Sequence, residues 1–114
     1  MFANVLTKIA RASKLGQMES IDPQVTLRQW EERGYRGGTW DDPPGRAWEN
    51  FVHDVDELMM VVSGSLELEV AGKKSYPRPG EEILIAARAV HSVRNRGAGS
   101  ARWLYAYKTH EHGR

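Results

Sequence analysis

Three residues in the middle of the chain carry the most readable chemistry: His53, Glu57 and His91. Two imidazoles and one carboxylate form a donor set that holds ferrous iron or zinc and leaves positions open for water or substrate. A lone histidine on an apolar strand is ordinarily a satisfied core residue, so the reading turns on whether the three side chains can meet. On one straight strand His53 and Glu57 would lie roughly 13 Å apart, too far to share an ion. A tight reversal through Asp54, Val55 and Asp56 would instead set them on adjacent antiparallel strands, with Cβ atoms about 5 Å apart. Aspartate favours such turns. His91 begins a later strand-like run, just after a break at residues 86–89.

Other residues could border the same pocket. Glu49 and Phe51 alternate with His53, so both are expected on its face, Glu49 as a pocket acid. Met59 and Val61 are expected to pack the interior, with Met59 as adaptable lining. Asn95 is expected at the pocket edge, chiefly tying down backbone. Trp103, Tyr105 and Tyr107 alternate along one strand and are expected to pack in the core or a dimer contact or, as the alternative, to stack on a ligand, with Tyr105 taken as lining. Arg88 could reach over the mouth toward an anion. His110, Glu111 and His112 imitate a chelating triplet but fall in a polar end expected to fray.

The elements that must position these residues follow from pattern and composition. At 114 residues the chain has the length of one domain with one core. Hydrophobic residues at 40% and charged residues at 27% are globular values and argue against disorder. A net charge of +1 supplies no field to gather nucleic acid or an anionic membrane, and neither is expected as a partner. The absence of cysteine removes disulfides, thiolate nucleophiles and thiolate ligands, and fits a cytoplasmic protein. No apolar run approaches the roughly 20 residues needed to span a bilayer. There is also no phosphate-cradling glycine loop before a helix and no serine elbow.

Residues 1–18 are basic and acid-free, with apolar residues at helical spacing. They are read as an amphipathic helix within an extension over 1–22, and the alternatives of a secretory signal or a transit peptide fit less well. Residues 25–30 alternate as a half-buried strand would, and 31–45 are rich in glycine and proline, as in a loop. Short strands then follow at 47–53, 56–63, 66–70, 74–76, 82–85, 91–95 and 101–109, with a flexible tail at 110–114. No long helical pattern separates them, so an antiparallel barrel or sandwich is expected over 23–109. Leu66-Glu67-Leu68-Glu69-Val70 shows the alternation most clearly: apolar inward, acid outward.

Two stretches resemble a known family. Gly45-x5-Phe51-x-His53-x3-Glu57-x6-Gly64 is similar to the first cupin motif, and Gly80-x5-Ala86-x-Arg88-x2-His91-x3-Asn95 to the second. The resemblance spans about residues 30–107. It implies an all-β fold, a double-stranded β-helix or jelly-roll barrel, here with a short N-terminal helix. It also implies a divalent transition metal, such as iron, manganese, nickel, zinc or copper, held by His53, Glu57 and His91. The family's remaining histidine position holds Phe51, whose ring would project into the pocket. Ala86 and Arg88 stand where the family usually has Pro and Gly, which strains the loop if positive φ is required there.

The expected function is action on a small organic molecule, as a metal-dependent dioxygenase or isomerase-type enzyme. The alternative is a module that binds or senses a small molecule without metal. A homodimer is expected, with the N-terminal helix, Trp30, Trp40 and Trp48 offering surface to bury between subunits.

Overall fold

The computed structural model describes residues 21–109. The helix expected within residues 1–18 and the tail at 110–114, with its His-Glu-His triplet, lie outside the described residues.

The first element corrects the reading of residues 25–30 as a strand. They belong to helix α1 (Pro23–Glu32). Asp22 is its N-cap, accepting from the backbone N–H of Gln24 at 3.0 Å, and Pro23 occupies the first helical turn. An aspartate-proline pair is thus a helix start, and it outweighs a short alternation. Eight strands follow: β1 (Tyr35–Asp42), β2 (Ala47–Phe51), β3 (Glu57–Ser63), β4 (Glu67–Val70), β5 (Lys73–Ser75), β6 (Ile83–Ile85), β7 (His91–Arg94) and β8 (Ala101–Lys108). The last seven match the expected strands to within two residues. Strand β1 occupies what composition suggests is a loop, and its glycines have a packing reason. Gly37 lies so close to the Tyr105 carbonyl of β8 that a Cβ there would collide with backbone.

The strands form two antiparallel four-stranded sheets, ordered β1-β8-β3-β6 and β2-β7-β4-β5. This is the β-barrel architecture that the two motifs imply. Between the sheets lies a core of Met59, Val61, Leu66, Leu68, Ile85, Val93, Ala101 and Trp103. A second cluster covers the outer face of the first sheet, where Trp30 of α1 packs on Leu58, Met60, Leu104 and Ala106. Strand β3 is therefore buried on both faces, which explains its unbroken run Leu58-Met59-Met60-Val61-Val62. Glu82 fastens the helix: it accepts from Trp30 Nε1 at 3.0 Å and from both Arg33 nitrogens at 2.9 Å. Trp30 is 1% exposed and so is an internal anchor, not a surface for a second subunit.

On β4, Leu66 and Leu68 point inward as expected. Glu67 faces out but is buried beneath Arg94, whose Nη1 lies 2.6 Å from its carboxylate, and Arg96. Arg94 also pairs with Glu49 at 2.8 Å and Glu69 at 2.9 Å, joining β2, β7 and β4 across the outer face.

Candidate metal centre

Phe51 ends β2 in one sheet, and Glu57 begins β3 in the other. The segment between them is a turn, as the two aspartates suggest, but it forms no hairpin. It crosses from sheet to sheet, so His53 and Glu57 meet at a corner of the barrel and not on adjacent paired strands. His91 arrives at the same corner as the first residue of β7, paired with Phe51 of β2 and Val70 of β4. Two tethers hold the corner. Asp56 accepts from Ala87 N–H at 2.8 Å, and the His53 carbonyl accepts from Arg88 N–H at 2.7 Å.

The three side chains converge. Nε2 of His91 lies 3.4 Å, and Nε2 of His53 3.6 Å, from Glu57 Oε1. One ligand atom from each residue lies within 4.8 Å of the others. With bonds of about 2.1 Å, ligands on one face of an ion sit roughly 3 to 3.5 Å apart, close to the spacing of both imidazole–carboxylate pairs. The His91 ring is oriented by its other nitrogen. Nδ1 lies 3.0 Å from the Ala89 carbonyl, which can only accept, so Nδ1 carries the proton and Nε2 turns its lone pair to the centre.

Glu57 supplies the test of fit. It is 3% exposed, and its Oε1 is a buried acceptor without a hydrogen bond: the two imidazole nitrogens are near, but neither makes one. A buried carboxylate oxygen left this way is costly unless a cation meets it. A proton on His91 is favoured by the same contact: the Glu57 carboxylate raises the His91 pKa against the opposing effect of burial. Two nitrogen donors and one oxygen donor converging on the orphaned atom fit a divalent metal of the zinc or iron type.

Above the centre opens a cavity of about 230 Å³, lined by Trp40, Trp48, Phe51, His53, Glu57, His91, Val93, Trp103, Tyr105 and Tyr107. Phe51 and Tyr105 are both among these lining residues. The Phe51 ring centre is 6.2 Å from that of His53 and 6.5 Å from that of His91. Tyr107 places its hydroxyl 3.4 Å from His53 Nε2. Burial and the Glu57 carboxylate push that phenol up to about 12, so it is neutral and able to donate.

Four expected lining residues lie elsewhere. Glu49 is outside, paired to Arg94, because Asn50 adopts φ +58° and the β2–β7 register shifts between Trp48 and Phe51. That irregularity breaks strict alternation and turns Trp48 inward in its place. Met59 and Val61 are wholly buried in the core between the sheets. Asn95 ties loops together, donating to the carbonyls of Asp42 and Gly99 and accepting from Gly97 N–H. Arg88 does not reach over the mouth: its guanidinium pairs with Asp54 at 3.0 Å. Its φ is +72°, the strained conformation that glycine would relieve.

Two lining tryptophans escape the sequence reading, which expects Trp40 and Trp48 as subunit surface; the third, Trp103, is one of the alternating aromatics that could stack on a ligand. All three indole N–H groups donate to one buried residue, Asp42. No motif announces it. Four tryptophans in 114 residues were the only available signal.

A family model described as Cupin domain matches residues 38–107, more than half of the chain. The chain belongs to the cupin family. No curated protein matches it. Among solved structures it is similar to the TT1209 protein of Thermus thermophilus, at 20% identity and a TM-score of 0.60, covering 79% of this chain and 97% of that one. It is also similar to a predicted oxalate decarboxylase from Thermotoga maritima, at 18% identity and a TM-score of 0.61, covering 71% and 72%. An oxalate oxidase solved with the substrate analogue glycolate matches at 22% identity and a TM-score of 0.61, over 68% of this chain and 43% of that one. Likeness at these identities concerns the fold. Among the described residues, no helix is long and apolar enough to cross a membrane.

Proposed function

We propose that this cupin is a metal-dependent enzyme acting on a small organic molecule, of dioxygenase or isomerase type. The observation that carries the reading is the orphaned Oε1 of Glu57 between two imidazole nitrogens, on the floor of a cavity. His53, Glu57 and His91 would hold iron, manganese, nickel or zinc. Such an ion, when bound, would act as a Lewis acid toward an oxygen-bearing substrate and leave it room to bind. The surrounding residues do the rest. Ala89 fixes the His91 tautomer, and the aromatic walls exclude water from the centre. The Tyr107 hydroxyl stands ready to donate to an oxygen atom held beside His53.

A second reading is favoured by Phe51, which takes the place of a fourth ligand: a module that binds or senses a small molecule without turnover. One comparison separates the two. Metal-reconstituted wild type and Glu57→Gln are incubated with a panel of small organic acids, following oxygen uptake and product formation by NMR. Turnover that depends on added metal and vanishes in Glu57→Gln supports the enzyme. Ligand binding without turnover, unchanged in Glu57→Gln, supports the module. We further propose a cytoplasmic homodimer, joined through exposed apolar side chains such as Val25, Val52, Leu84 and Val90. A monomer mass by light scattering at micromolar concentration contradicts the dimer.

A further inference from the structure

Asp42 is 1% exposed, and the side-chain hydrogen bonds it accepts come from indoles. Trp40 Nε1 reaches Oδ1 at 2.9 Å, Trp103 Nε1 reaches Oδ2 at 3.0 Å, and Trp48 Nε1 lies 3.1 Å from both oxygens. Both oxygens therefore act as acceptors, the behaviour of a carboxylate. Among the described residues its charged neighbour is Arg46, 4.0 Å away and 44% exposed. Three neutral donors hold the carboxylate beneath the rings, with the Arg46 guanidinium at its edge.

The consequence falls on the cavity. Asp42 is not among its lining residues, while all three tryptophans are. Each indole has a single donor, and each donor is turned away toward Asp42. What the indoles offer the cavity is carbon surface, with electron density reinforced by the anion at the N–H edge. The rings also meet steeply: Trp40 and Trp48 at 71°, Trp48 and Phe51 at 59°, Trp103 and Tyr105 at 65°, Tyr105 and Tyr107 at 52°. None of these neighbouring pairs is parallel, and faces tilted against one another in this way suit a compact rounded group. Trp48 already holds one cation, the Arg46 guanidinium at 5.2 Å from the ring centre.

We propose that Asp42 is a positioning residue that builds Trp40, Trp48 and Trp103 into an aromatic cage, and that the cage takes an alkylated ammonium group of the ligand. Cations of this kind bind ring faces through the ring quadrupole and shed their weak hydration easily. The cavity of about 230 Å³ equals roughly eight waters at about 30 Å³ each, room for a trimethylammonium group and a short chain. The inference deepens the reading of this cavity as a small-molecule site and rests on it. The charge at the His53–Glu57–His91 end is a separate matter, tested separately.

Two probes of the same shape decide it: trimethylglycine and 3,3-dimethylbutanoate differ in the charge on the rounded end. Each is titrated by calorimetry into wild type, Asp42→Asn and Trp40→Leu, with metal content measured on the same samples. Wild type prefers the ammonium compound by about tenfold. Trp40→Leu, at a mouth position 40% exposed and so safe for folding, lowers that preference several-fold. Asp42→Asn, shown to be folded by far-ultraviolet dichroism, does the same; a merely stabilising residue would lower the melting temperature and leave the preference unchanged. Equal or tighter binding of 3,3-dimethylbutanoate, or a preference untouched in both variants, overturns the proposal. Loss of metal with the preference intact strikes only the metal reading.

Discussion

At the scale of single residues the account rests on Glu57. A buried carboxylate facing two imidazoles needs positive charge, and a proton and a metal ion compete for the place. The competition has a sign. The pKa of His91 is raised by Glu57, so the stability contributed by the protonated pair is fully present below the ordinary imidazole value of 6.5. It is lost as pH rises through the higher folded value. Metal behaves oppositely, because its binding expels that proton and strengthens as pH rises. Chemical denaturation from about pH 6 to 8 should therefore show the metal-free protein losing stability while the stabilisation conferred by zinc grows. Parallel pH profiles for the two forms would contradict the pairing of His91 with Glu57.

At the scale of elements, the corner after β2 and the loop before β7 do the positioning, and the loop carries visible strain. Arg88 adopts φ +72°, and its compensating pair with Asp54 is exposed at both ends. Surface pairs of this kind contribute little. Arg88→Gly is therefore expected to raise unfolding stability by roughly 1 kcal/mol, the size of the strain it removes. A loss of stability in urea denaturation would mean that the Asp54 pair matters more than the backbone. The same elements show what sequence can reveal. Strands from residue 47 onward are legible because alternation and turn residues agree there. Helix α1 is hidden because six residues cannot separate a period of two from one of 3.6, though Asp22-Pro23 held the answer. Strand β1 is masked by its glycines, of which Gly37 admits the Tyr105 carbonyl, a reason that exists only in three dimensions. Glu49 is misplaced by its alternation because nothing in the sequence around it reports the positive φ of Asn50.

At the scale of the whole molecule, the two sheets bring residues nearly forty positions apart to a single corner, and the spacing of two motifs is enough to foresee that meeting. The aromatic upper wall is not foreseeable in the same way. Trp40, Trp48 and Trp103 come from three strands in both sheets and are unified only by Asp42. The floor of the cavity decides everything above it. Purified, untagged wild type and His91→Ala should be compared by elemental analysis after equilibration with iron, manganese, nickel or zinc and removal of excess. The account predicts close to one ion per wild-type chain for at least one of these metals, and almost none in the variant. Wild-type protein that takes up none of the four, or His91→Ala that retains a full complement, would contradict it.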